Sequence, residues 1–195
     1  MTGESSRRTV LAGLGSLPLA ATATARESGE ALWAALARPG HIALMRHANA
    51  PGVGDPAGFA LGDCATQRNL DESGRAQARR IGEAFRRRGI RVSLVLTSQW
   101  CRARDTARLL GLGPVEDAPE ALNSFFGRAG EREAATAALR QQLSRLPSEG
   151  GTVVMVTHQV NITALTGVFP DSAEIVVLRR EPDGSTTVRG TLPPP

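Results

Sequence analysis

The sequence predicts an α/β fold, a three-layer α/β/α sandwich around a mostly parallel central sheet. Three observations carry that expectation. Strand-like runs occupy residues 42–45, 92–97 and 153–156, and the first is continuous rather than alternating, as in a central strand buried on both faces. Segments with helical periodicity separate them, and strands alternating with helices define the layered α/β class. Each run is also followed at once by Arg, His or Ser: Arg46-His47, Ser98 with Arg102 close behind, and His158. Open α/β sheets bind ligands at the carboxyl ends of their strands.

The elements follow in order. Residues 30–37 suit a short helix, ended by Pro39-Gly40. The first strand, 41–45, begins at His41, far from His47, so His41 is read as structural. Residues 49–70 form a long loop rich in Gly, Pro and Asp, a kind usually kept for function. Asp71 caps a helix reaching about residue 89, with Ala78, Ile81, Gly82 and Phe85 as its buried stripe and most of its arginines on the solvated face. A strand over 92–97 leads to a helix over 99–110, closed by Gly111 and Pro114. Residues 117–127 read as irregular. A helix over 132–146 stops at Pro147, a strand covers 152–156, and a helix covers 160–166. Two strands, 173–178 and 186–190, form an edge hairpin about Pro182-Asp183-Gly184, before a frayed Pro193-Pro194-Pro195.

Composition removes several functions. The 195 residues, 41% apolar, fit one domain with a full, largely aliphatic core. All 23 basic residues are arginines, and the chain has no Lys and no Tyr. The pI of about 10.7 therefore reflects the lack of groups titrating below Arg, not a large charge, since the net charge is only +4. Basic residues and stacking aromatics are not clustered together, which argues against nucleic-acid binding. Without Lys, Schiff-base and P-loop-lysine chemistry are excluded.

Residues 1–25 read as a twin-arginine export signal: Ser6-Arg7-Arg8-Thr9-Val10-Leu11, a mild apolar run, then Ala23-Thr24-Ala25 as a cleavage site. The run is too short for a membrane span, so no stable insertion is expected once it is removed. Residues 26–195 would then be a single exported domain, placed in the periplasm. In that setting Cys64 and Cys101 either pair or remain as two free thiols.

At the strand ends, a neutral imidazole at His47 can attack phosphorus in line. Arg46 and Arg102 offer planar forks for phosphoryl oxygens. Their charge does what a metal ion does elsewhere. His158 and the helix N-terminus beginning at Gln159 add donors. The few His, Cys and paired carboxylates give no convincing metal site, and no cofactor is expected.

These residues sit in strings that resemble the histidine phosphatase superfamily, which includes phosphoglycerate mutases and small phosphohistidine phosphatases. They are Arg46-His47-Ala48, Asn69-Leu70-Asp71-Glu72-Ser73-Gly74-Arg75-Ala76-Gln77-Ala78, Ser98 with Arg102-Ala103 and Thr106-Ala107, and Val156-Thr157-His158. The resemblance runs in order from about residue 41 to 167. It implies a phosphoglycerate mutase-like fold and a metal-independent phosphomonoester hydrolase working through phosphohistidine at His47. The long loop and the export signal are also similar to those of lipopolysaccharide-core phosphatases in the group.

The chain departs from that pattern at the general acid. Ser124, after Leu122-Asn123, stands where many relatives carry Glu. Gln159 follows the second histidine where the acid-phosphatase branch carries Asp. Asp63 in the long loop is the preferred replacement, with Glu120 second. Arg68 is expected either to contact substrate or to pin the loop through a salt bridge, and Asn49 is a weaker candidate for substrate contact. The expected partner is a phosphorylated small molecule or phosphosugar. The alternative is a catalytically silent phosphate- or phosphosugar-binding relative that kept the cradle and lost the acid.

Overall fold

The computed structural model describes Met1 and residues 28–147 and 149–195. The expected export signal lies outside the described residues, apart from Met1. Among the described residues six strands form one sheet in the order β3-β2-β4-β1-β5-β6. They are β1 (His41–Arg46), β2 (Val92–Thr97), β3 (Val115–Asp117), β4 (Thr152–Thr157), β5 (Ile175–Arg180) and β6 (Thr186–Leu192). The first four run parallel, while β5 pairs antiparallel with both β1 and β6.

Two helical layers enclose the sheet. Side chains of successive strand residues point to opposite faces, so β1 divides its apolar run between them. Ala43 and Met45 join Leu32, Leu36, Ile81, Phe85 and Leu110, the residues of α1 (Gly29–Leu36), α2 (Glu72–Arg87) and α3 (Cys101–Leu110). Ile42 and Leu44 join Leu122, Leu139, Leu143 and Ile162 from α4 (Pro119–Leu122), α5 (Arg132–Arg145) and α6 (Gln159–Thr166) on the other face. The molecule is a three-layer α/β/α sandwich with a mostly parallel sheet.

Local chemistry explains the boundaries. Asp71 caps α2 by accepting the Gly74 N–H at 2.7 Å. Gly82 lets α2 approach α3 closely, since a Cβ there would stand 1.8 Å from the Leu110 carbonyl oxygen. Gly111, in the left-handed region, ends α3. The stretch expected to be irregular over 117–127 instead holds the end of β3 and the four-residue α4, elements too short to show a period. The edge hairpin forms two residues later than expected at its first strand, over Ile175–Arg180.

Register places the site. Arg46 pairs with Thr157 and Thr97 with Val156, so β1, β2 and β4 end level with one another. Backbone bonds carry the pairing one residue further, from His47 N–H to Thr157 O at 2.9 Å and from Ser98 N–H to Val156 O at 3.1 Å. The residues after all three strands therefore emerge at one edge.

Candidate active site

At that edge lies a cavity of about 240 Å³ floored by Arg46, His47, Arg102 and His158, with Arg68, Ser124, Gln159 and four apolar side chains around it. His47 is buried and its ring Nδ1 lies 2.8 Å from the carbonyl of its own neighbour Ala48. A carbonyl can only accept, so Nδ1 carries the hydrogen and Nε2 keeps its lone pair. Burial, opposed by that bond and reinforced by Arg102, Arg46 and Arg68, pushes the His47 pKa down to about 3. The ring is a neutral imidazole at pH 7.

The second histidine is set by a polar chain. His158 Nε2 lies 2.8 Å from Ser98 Oγ, whose other neighbour, Asn123 Oδ1 at 3.3 Å, already accepts the Gln99 N–H at 2.8 Å. Asn123 Oδ1 can only accept, so Ser98 Oγ donates its one hydrogen there, accepts the Trp100 N–H at 3.2 Å, and holds the His158 ring through Nε2. Burial, then His47 and the three arginines, hold the His158 pKa well below the usual range. The two rings are 5.4 Å apart.

The arginines are held from one side and left open on another. Arg46 Nη1 donates to Pro170 O at 3.0 Å, and burial lowers its pKa. Arg102 Nη1 donates to Asp55 Oδ1 at 2.7 Å in an ion pair with both side chains buried. The Nε of Arg46 and that of Arg102 are both buried without a protein partner. The two guanidinium groups line the cavity and put positive charge on its floor.

Asp55 is the residue that sequence reading missed. It accepts Trp100 Nε1 at 2.9 Å and the Arg68 N–H at 3.0 Å as well as Arg102. Burial works against its ionisation, yet these hydrogen bonds hold the carboxyl below its usual range. A buried Arg102 demands a counter-charge, and the long loop was its natural source, but nothing in the sequence distinguishes Asp55 from Asp63. Arg68 does line the cavity, and it pins the loop through carbonyls rather than a salt bridge, donating to Gly54 O at 2.8 Å and to Ala50 O.

Several expected residues lie elsewhere. Asp63 is exposed, and its carboxylate caps the short 3-10 turn Cys64–Thr66 by accepting the Ala65 N–H at 3.0 Å; it does not line the cavity. Glu120 faces a neighbouring groove beside Asn123 and Arg128. Asn49 turns away from the cavity and ties β1 to α2, donating to Asp71 Oδ2 at 2.9 Å. Gln159 lines the cavity, but its side-chain amide donates along its own helix to Thr163 Oγ1 at 2.8 Å. Cys64 and Cys101 form a disulfide across 37 residues, joining the long loop to the start of α3. Among the described residues no three His, Cys, Asp or Glu side chains gather as metal ligands.

A cationic pocket at the ends of parallel strands, closed around a neutral histidine, defines an α/β domain built to receive a phosphoryl-like anion. The family model of the histidine phosphatase superfamily (branch 1) matches residues 42–138, and the chain belongs to that superfamily. Solved structures share its fold. The protein histidine phosphatase SixA complexed with tungstate is 19% identical at a TM-score of 0.55, with 78% of this chain and 96% of that one covered. Mycobacterial hydrolase 1 is 17% identical at 0.57, with 77% and 97% covered. A mutant phosphoserine phosphatase from Entamoeba histolytica in complex with phosphoserine is 13% identical at 0.51, with 77% and 95% covered. No curated protein matches the chain by sequence.

Proposed function

We propose that the chain is a metal-independent phosphomonoester hydrolase that works through a phosphohistidine on His47. The observation that carries this reading is the pairing of a buried, neutral His47, its ring hydrogen on Nδ1, with Arg46, Arg102 and His158 on the floor of the same cavity. Nε2 attacks phosphorus and the ester oxygen leaves with the bonding pair. Water then displaces the histidine, yielding inorganic phosphate and restoring the ring. Arg46 and Arg102 neutralise the equatorial oxygens through both steps, with His158 beside them on the cavity floor. Arg102 is aimed by Asp55, and Ser98 orients His158.

Rapid quenching with phosphorus-labelled substrate in the presence of EDTA tests the reading. Label should be retained on the wild-type protein, be lost in acid, survive base, and be missing from His47→Ala. Label persisting in His47→Ala would remove His47 as the nucleophile. One observation favours a second reading, a phosphate-binding protein without turnover: among the described residues no carboxylate lines the cavity to protonate a leaving group. Tight phosphate binding with neither label nor hydrolysis would select it.

A further inference from the structure

The cavity does not end at the phosphate cradle. A groove of about 400 Å³ adjoins it, and the two share Gly54, Ser124 and Phe126. Among the described residues six large apolar side chains are exposed, and four of them border this one opening. Val53 is 88% exposed, Phe126 55% and Phe169 71%, all lining the cavity, and Phe59 lines the groove. Phe59 also stands 5.8 Å, ring to ring, from Trp100. Exposed apolar clusters of this kind mark binding surfaces, and this one is continuous with the floor that holds the anion.

Chemistry narrows what it binds. Among the described residues no carboxylate lines the cavity, and Asp55 in the adjoining groove is held ionised by Arg102, so the departing oxygen must carry its own negative charge. A phenol, with a pKa of about 10, does so far more readily than an aliphatic alcohol. Resting on the function proposed above, we infer that the substrate is an aryl phosphate, with its ring seated among Phe126, Phe169 and Val53. Nε2 of His47 forms the P–N bond as the P–O(aryl) bond breaks, and the phenolate takes the electron pair and later a proton from solvent. Water then cleaves the P–N bond, its oxygen going to phosphate. The ring nitrogen recovers its pair and the released proton goes to solvent.

The test compares phenyl phosphate, octyl phosphate, glycerol phosphate and acetyl phosphate on the full chain. The last has a good leaving group and no ring, so it reads the histidine chemistry alone. Wild type should favour phenyl over both alkyl esters in kcat/KM by on the order of 10² or more, the scale a missing general acid sets for a poor leaving group. In Phe126→Ala and Phe169→Ala the phenyl-to-acetyl ratio should fall about tenfold, the scale of one lost aromatic contact. Octyl phosphate turned over as well as phenyl phosphate would overturn the inference in favour of an aliphatic tail. An unchanged phenyl-to-acetyl ratio in both variants would overturn the seat for the ring. Failure to hydrolyse even acetyl phosphate would sink the hydrolase reading itself, and the inference with it.

Discussion

His47 joins a chemical role to a cost in stability. Its folded pKa, about 3, lies below the 6.5 of an unfolded chain, so below pH 6.5 the unfolded state binds the proton more readily. The contribution of the neutral ring to stability is complete above pH 6.5 and is lost as the pH falls toward 3. The loss runs at about 1.4 kcal/mol per pH unit for one such group. Wild type should therefore lose stability faster than His47→Gln between pH 6.5 and 4, in denaturant titrations at each pH. Equal slopes would show that the ring is not held neutral by burial. The arginine chemistry was readable from residue type and from position after each strand. The partners that aim it were not: Asp55 becomes the counter-ion of Arg102 only through the path of the loop, and Asp63, with the same side chain, caps the turn Cys64–Thr66 instead.

At the scale of elements, long apolar strands and periodic helices were legible because their periods repeat. The strand β3 and helix α4 were not, because three and four residues contain no full cycle of either pattern. The loop between β1 and α2 is the element with the most to explain, since it supplies Asp55 and Arg68 to the site while holding only one short turn, Cys64–Thr66, of regular structure. The Cys64–Cys101 bond fastens it one residue from Arg102. Closing a loop of 37 residues removes enough unfolded-state entropy to contribute about 3–4 kcal/mol. Reduction should lower the unfolding free energy by that order and raise KM by loosening Arg68 and Asp55. Identical denaturation curves with and without reductant would show the bond to be idle.

Across the whole molecule, the disulfide and the twin-arginine-like start of the sequence agree with each other, because disulfides persist in oxidising compartments. We infer export, and cell fractionation checks it: the shortened protein should be found outside the cytoplasm, and full-length protein confined to the cytoplasm would refute it. The sheet order has a consequence of a different kind. β1 lies between β4 and β5, with helices above and below, so its amides can meet water only when the whole domain opens. The amides of β1 are therefore expected among the slowest to exchange, and His47, the residue that follows it, is paired to Thr157 at its end. Partial unfolding at the sheet edges, β3 and β6, would leave the pocket floor on the inner strands in place.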